Sequence, residues 1–287
     1  MPPVTRAQAK HEFPKFFPEA SRDASTFALR QPHRTGKHAK LVDWIVLNPG
    51  TGATHHDTAD PITRLFQNIF KQSDYLRHLR FRRTYPVEAP HTEWLMLSWS
   101  SADMRNEFIN SDEYQCLTET LAAWASERSV QVSMIDLSQT LGAAFHEGAF
   151  RNQYVGAIEY YELMAVYFPE DLARSQIQEL NRTNPYNLGI LIGSDVYPLA
   201  GLTDWQHGWL DRPVLFQGQR ARCLVYLLRW ENADREHEYK NFHVKVNKNI
   251  VDYWKEFATT LKQNGMFGYE SQHASILRQS VGSMLGD

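Results

Sequence analysis

The side chains best suited to chemistry are histidines and tyrosines in the last third of the chain. Tyr239 and His243 stand four apart, so on a helix they share one face, and His237 lies two residues before them. An imidazole beside a phenol suits proton transfer to and from an enolisable substrate. Upstream, Trp205, His207, Trp209, Asp211 and Arg212 fall within eight residues, a set that could exclude water and add a hydrogen-bond donor. Asp43 and Glu159 each sit in the first apolar run of one half of the chain, where burial would raise a carboxyl's pKa and suit it to general-base work. The candidates are therefore His243, Tyr239, His207 and Glu159 for acid/base catalysis, with Trp205, Trp209, Arg212, Tyr226 and His237 as substrate contacts. His55-His56-Asp57 is an adjacent histidine pair, but adjacent side chains diverge and no third ligand accompanies them. No metal and no cofactor is expected. The nucleotide, hydrolase and zinc-protease motifs GxGxxG, P-loop, GxSxG, HExxH and CxxC are all missing from the sequence.

These residues need elements to hold them. The 287 residues suffice for one large domain or two modest ones. Thirty Lys and Arg against thirty-three Asp and Glu, with no basic run, lack the footprint of a nucleic-acid binder. No apolar stretch reaches the ~18 residues of a spanning helix, so no membrane partner is expected. Cys116 and Cys223 are the two cysteines and cannot build a disulfide scaffold. Residues 1–39 carry five prolines and no periodicity, which predicts a flexible arm. They also lack the apolar core of a secretory signal, so a cytoplasmic location is expected. Over 40–140, strands are predicted at 41–47, 80–85, 92–99 and 130–137, with helices over 62–79 and 102–127. A linker follows at 141–154. Over 155–287 the order repeats: a strand at 157–168, a helix at 170–181, strands at 188–192 and 222–230, a helix over 233–264 broken near Phe242, and a closing strand at 266–277. The insertion 194–220 is long enough to form a lid.

Both regions read β-α-β-β-α-β. Residues 94–110 (WLMLSWSSADMRNEFIN) and 225–241 (VYLLRWENADREHEYKN), 131 apart, agree at six of seventeen positions: Leu97/Leu228, Trp99/Trp230, Ala102/Ala233, Asp103/Asp234, Glu107/Glu238 and Asn110/Asn241. That element order is the ferredoxin-like unit. Trp99-Ser-Ser-Ala102-Asp103, followed by Phe108-Ile-Asn-Ser-Asp-Glu-Tyr114, resembles the dimeric α/β-barrel superfamily, in particular its stress-responsive A/B-barrel and antibiotic-biosynthesis-monooxygenase-type members. The resemblance covers about 40–280 and implies an α+β fold: two ferredoxin-like units whose antiparallel sheets pack into an intrachain α/β barrel. It also implies that a His and a Tyr near the second helix of a unit do the chemistry. The first half offers Phe108 and Tyr114 there, and the second His237, Tyr239 and His243, so the cavity is expected in the second unit. The function implied is a cofactor-independent tailoring enzyme, a cyclase, dehydratase or isomerase-type lyase acting on a hydrophobic, polyketide-like molecule. The alternatives are a monooxygenase or haem-dependent oxidoreductase of the same fold, or a non-catalytic stress or ligand-binding barrel. A homodimer is a further option.

Overall fold

The computed structural model describes residues 41–48, 79–90, 92–99, 101–125, 129–136, 158–183, 185, 201–241, 244–246 and 249–277. The predicted arm, the linker, the His55-His56-Asp57 loop, almost all of the first helix, the 188–192 strand and His243 lie outside them.

In the first half, β1 (Leu41–Asn48), β2 (Leu79–Thr84), β3 (Glu93–Trp99) and β4 (Ser129–Asp136) accompany α1 (Ala102–Ile109) and α2 (Asp112–Ala125). In the second, β5 (Ile158–Pro169), α3 (Arg174–Leu180), β6 (Leu202–Leu210), β7 (Val214–Phe216) and β8 (Gln219–Trp230) come first. They are followed by α4 (Ala233–Asn241), β9 (Val244–Val246), β10 (Asn249–Val251), α5 (Tyr253–Gln263) and β11 (Gly268–Leu277). Among these helices none is long and apolar enough to cross a membrane.

The fold is α+β. Its main sheet runs β11-β5-β8-β6-β4-β1-β3-β2 with antiparallel pairing throughout, and β7 extends β8. With β7 and the separate β9–β10 pair set aside, each half has its strands in the order fourth, first, third, second, the ferredoxin-like arrangement. The halves join where Ile135 and Asp136 pair with Leu210 and Trp209. The sheet curls far enough for its two ends to touch. Pro86, just past β2, bridges Ala274 of β11; the Val87 N–H donates to the His273 carbonyl at 2.6 Å, and Thr84 Oγ1 donates to the Ser275 carbonyl at 3.3 Å.

Alternation along the strands separates two cores. Val42, Trp44, Met96, Leu163, Tyr167 and Val225 pack with their neighbours on the concave side, where Trp44 meets Trp94 edge-on at 5.2 Å and Tyr167 stacks on Phe216 at 3.9 Å. The cavity left among Val42, Met96, Leu163, Gln206 and Leu227 measures about 20 Å³, room for one water. On the opposite face, Met164, Phe168, Leu224, Tyr226, Phe257 and Leu261 form the core between sheet and helices in the second half. This layer lies between the second-half sheet and α4 and α5, beside which a ligand cavity was expected.

Two expected elements differ. The single helix over 102–127 is two: Ser101 caps α1 by accepting from the Met104 N–H, and Ser111 Oγ accepts from the Tyr114 N–H to start α2 anew. The 194–220 lid is not a lid over its described part. Residues 202–210 form β6, a central strand that pairs with β8 along most of its length. The Trp205-His207-Trp209 spacing is the period of two of that strand. The 233–264 helix is interrupted by the β9–β10 pair, after which Asp252 caps α5 through the Lys255 N–H.

Gly268 marks a close approach. A Cβ there would come within 2.3 Å of the Phe216 ring, which is itself held against Tyr167. Gly268→Ala should therefore lower stability by roughly 1–3 kcal/mol, the usual cost of overpacking. Urea denaturation checks this, and an unchanged midpoint would mean that the ring moves aside freely.

Candidate functional site

Four of the predicted site residues do come together, but around backbone. His207 Nε2 contacts the Asn181 carbonyl at 3.2 Å, and Trp209 Nε1 donates to Asn181 Oδ1 at 2.7 Å. Tyr226 Oη donates to the Thr183 carbonyl at 3.2 Å, and Tyr239 Oη donates to the Pro185 carbonyl. All four are buried. Since a carbonyl only accepts, His207 carries its hydrogen on Nε2. Burial lowers its pKa to about 4, opposed by the bond to Asn181, so the ring is neutral. Burial also drives the Tyr226 and Tyr239 hydroxyls above the ordinary phenol value. These groups clamp the chain after α3.

The remaining predicted residues scatter. Trp205 is half-buried and stacks on His207 at 5.5 Å. Arg212 Nη2 donates to the Val132 carbonyl at 3.0 Å and so staples the two halves. His237 is exposed on α4. Glu159 lies in β5, paired in register with Ile276.

Each half instead places a carboxylate beneath the tryptophan that ends its third strand. In the first half Leu41 pairs with Trp99, and Asp43, two residues on, accepts from Trp99 Nε1 at 2.7 Å. Arg105 of α1 closes the site, its Nε and Nη2 each donating to Asp43 at 2.8 Å. Asp43 and Arg105 are 1% and 0% exposed, so this bidentate pair is sealed from solvent.

In the second half Tyr160 pairs with Trp230, and Glu162, two residues on, accepts from Trp230 Nε1 at 3.1 Å. The carboxylate matching Asp43 is therefore Glu162, not Glu159. Its cation differs too. Lys240, on α4, donates to Glu162 Oε1 at 2.8 Å and to Glu236 Oε1 at 2.6 Å, while its Nζ lies 4.7 Å from the centre of the Trp254 ring. Ser271 Oγ adds a 2.7 Å bond to Glu162. His273 of β11 completes the cluster: its Nε2 lies 3.0 Å from Glu236 Oε1, and its Nδ1 contacts Glu88 Oε1. Tyr160 stacks on the imidazole at 5.5 Å, nearly parallel.

This second cluster opens to solvent where the first is closed. Lys240 is 23% exposed, His273 18% and Glu88 37%. Burial alone would lower the His273 pKa, but Glu236 and Glu88 outweigh it and raise it to about 9. Burial likewise works against ionisation of Glu236 and Glu88; bonds from His273, and from Lys240 at Glu236, prevail and hold both below the usual carboxyl value. The Lys240 ammonium is kept charged against burial by Glu162 and Glu236. At neutral pH the site thus holds an imidazolium and an ammonium among carboxylates.

Glu162, Glu236 and His273 also offer three ligand atoms within 4.8 Å of one another. The Lys240 ammonium, bonded to both carboxylates, already takes the cation's place between them. Haem is no better matched by the described residues. His207 has its Nε2 at a carbonyl and its ring packed between Trp205 and Tyr226, both nitrogens of His273 face carboxylates, and His237 stands on the surface.

No protein-family model matches the chain, and neither does any curated protein. Several solved structures are similar to it at low identity. An encapsulated DyP-type peroxidase from Mycobacterium smegmatis is 11% identical with a TM-score of 0.48, covering 90% of this chain and 98% of that one. A provisionally named monooxygenase from Fusobacterium nucleatum is 6% identical with a TM-score of 0.47, over 84% and 93%. An anthrone oxidase-like protein is 12% identical with a TM-score of 0.43, over 86% and 94%. At such values what they do stays with them. The expected cofactor-independent lyase is nevertheless corrected. The similar structures bear the names of an oxidase-like protein, a monooxygenase and a peroxidase, and none bears that of a lyase.

Proposed function

We propose that this chain is an oxidoreductase of the α/β-barrel type, oxidising a hydrophobic small molecule with dioxygen at the Glu162–Lys240–Glu236–His273–Glu88 cluster. In this reading the two halves act as two ferredoxin-like units of one barrel. The strand order common to both and the Pro86–Ala274 bridge between the sheet's ends support that arrangement.

The contact between Glu88 and His273 carries the reading. It holds at a solvent-reachable edge an imidazolium able to give a proton and, once it has done so, an imidazole able to take one. Conversion of an activated CH2 to a carbonyl by dioxygen needs those two transfers. One proton leaves carbon, the carbanion delivers its electrons to dioxygen, and the C–O bond forms as a hydroperoxide. Loss of the second hydrogen from carbon with O–O cleavage then releases water, for which a proton donor is required. Substrate plus O2 gives ketone plus H2O, so no external reductant is consumed. Tyr160 and Trp254, half-buried beside His273 and Lys240, supply flat rings suited to an aromatic substrate.

The test is oxygen uptake by the purified chain with a panel of ring ketones and phenols bearing activated methylenes. Turnover should appear with at least one of them and fall ~100-fold or more in His273→Asn and Lys240→Met, as for lost acid/base groups. Uptake unaffected by both changes, or lacking across the panel, would overturn the proposal.

A further inference from the structure

We infer that Glu88, supplied by the first half of the chain, is the positioning residue that orients the His273 ring, so that the proton-handling cluster is assembled only where the two ends of the sheet meet. The inference rests on the reading of the cluster as the working site and adds to it a residue 185 positions away from the one it holds.

The geometry is that of a clamp. One Glu88 oxygen contacts His273 Nδ1, and the other accepts from the His273 backbone N–H at 2.8 Å. The backbone on either side is fixed as well. The Val87 N–H donates to the His273 carbonyl at 2.6 Å, and Pro86 bridges Ala274. Backbone and side chain of His273 are thus both held by residues 86–88, and the ring keeps Nε2 turned toward Glu236 on α4. A carboxylate on Nδ1 fixes which way an imidazole faces and strengthens its hold on a proton. The groups around the ring are Glu88 from the segment after β2, Glu236 and Lys240 from α4, Glu162 and Tyr160 from the neighbouring β5, and the Ser271 hydroxyl from β11 itself. Of these, Glu88 alone comes from the first half. Breaking the seam would therefore remove one of the two carboxylates in contact with the imidazole and release its orientation together.

The experiment is NMR titration of the His273 imidazole in the full-length chain, which needs no substrate and so tests the inference apart from the reaction. In Glu88→Gln the titration should move down by about one pH unit or more, the size expected when an adjacent opposite charge is removed. Glu88→Asp should restore part of the shift, and Glu238→Gln, an exposed control on α4, should leave it unmoved. An unchanged His273 titration in folded Glu88→Gln would overturn the inference. Should Glu88→Gln fail to fold, the wild type decides: the His273 backbone amide shift must follow the titration of the Glu88 carboxyl, and an amide indifferent to it would equally overturn the assignment. A shifted titration with oxygen uptake lacking would uphold the clamp and sink the proposed reaction instead.

Discussion

Arg105→Met should remove about 3–5 kcal/mol of folding stability, the range seen when one partner of a buried ion pair is lost. The methionine approximates the arginine stem, so little of the loss comes from packing. What it leaves is Asp43, 1% exposed, with Trp99 Nε1 as its remaining donor in place of three. An ionised carboxylate in that position has no solvent to turn to. Asp43→Leu combined with Arg105→Met should recover much of the loss, because apolar replacement of both partners abolishes the desolvation cost along with the attraction. Lys240→Met in the second half should cost distinctly less, since water reaches the Lys240 site and His273 still faces Glu236. Urea unfolding followed by tryptophan fluorescence ranks the three. Equal losses for Arg105→Met and Lys240→Met would show that the two clusters are alike in burial and that the second is closed as well.

That contrast was only half legible in the sequence. Trp99 and Trp230, which the 131-residue shift aligns, have like partners: each ends its strand, β3 or β8, and each donates an indole N–H to a carboxylate on the first strand of its half. Choosing the carboxylate required cross-strand register. Asp43 and Glu162 each stand two residues beyond the residue opposite the tryptophan, a relation set by pairing and invisible in a linear reading, which picked Glu159. The cations were hidden for another reason. Arg105 and Lys240 do not align under the 131-residue shift, which instead sets Arg105 against Glu236. The second half thus has an acid where the first has its base, and draws its ammonium from one helical turn further on. His273 and Glu88 carry no local pattern at all, because they meet only through closure of the sheet's ends.

β6 misled in the opposite direction. Its signal, Trp205, His207 and Trp209 alternating with Gln206 and Gly208, was present in the sequence as a period of two. Tryptophan and histidine side by side read as a ligand-facing lid, whereas their polar atoms serve the Asn181 carbonyl and side chain. A buried indole or imidazole must find a partner, and backbone carbonyls of a neighbouring turn answer that need as well as a ligand would.

Two histidines should limit stability from opposite sides of the pH range. His273 has its folded pKa raised from 6.5 to about 9 by Glu236 and Glu88. The folded chain then binds more protons than the unfolded chain between those values, so stability falls as pH rises through the window. Its contribution is fully present below pH 6.5 and lost as pH passes about 9. His207 is the reverse case, with burial lowering its pKa from 6.5 to about 4. There the unfolded chain binds the extra proton, so the contribution is present above pH 6.5 and lost as pH falls toward about 4. Each limb should amount to on the order of 2 kcal/mol, a conservative conversion of such shifts at 1.36 kcal/mol per unit. Unfolding free energies measured from pH 4 to 10 should therefore form a dome centred near neutrality. His273→Asn should flatten its alkaline side, and His207→Asn its acid side. An alkaline limb that survives in His273→Asn would mean that another group holds the seam, and would remove His273 from the centre of the cluster.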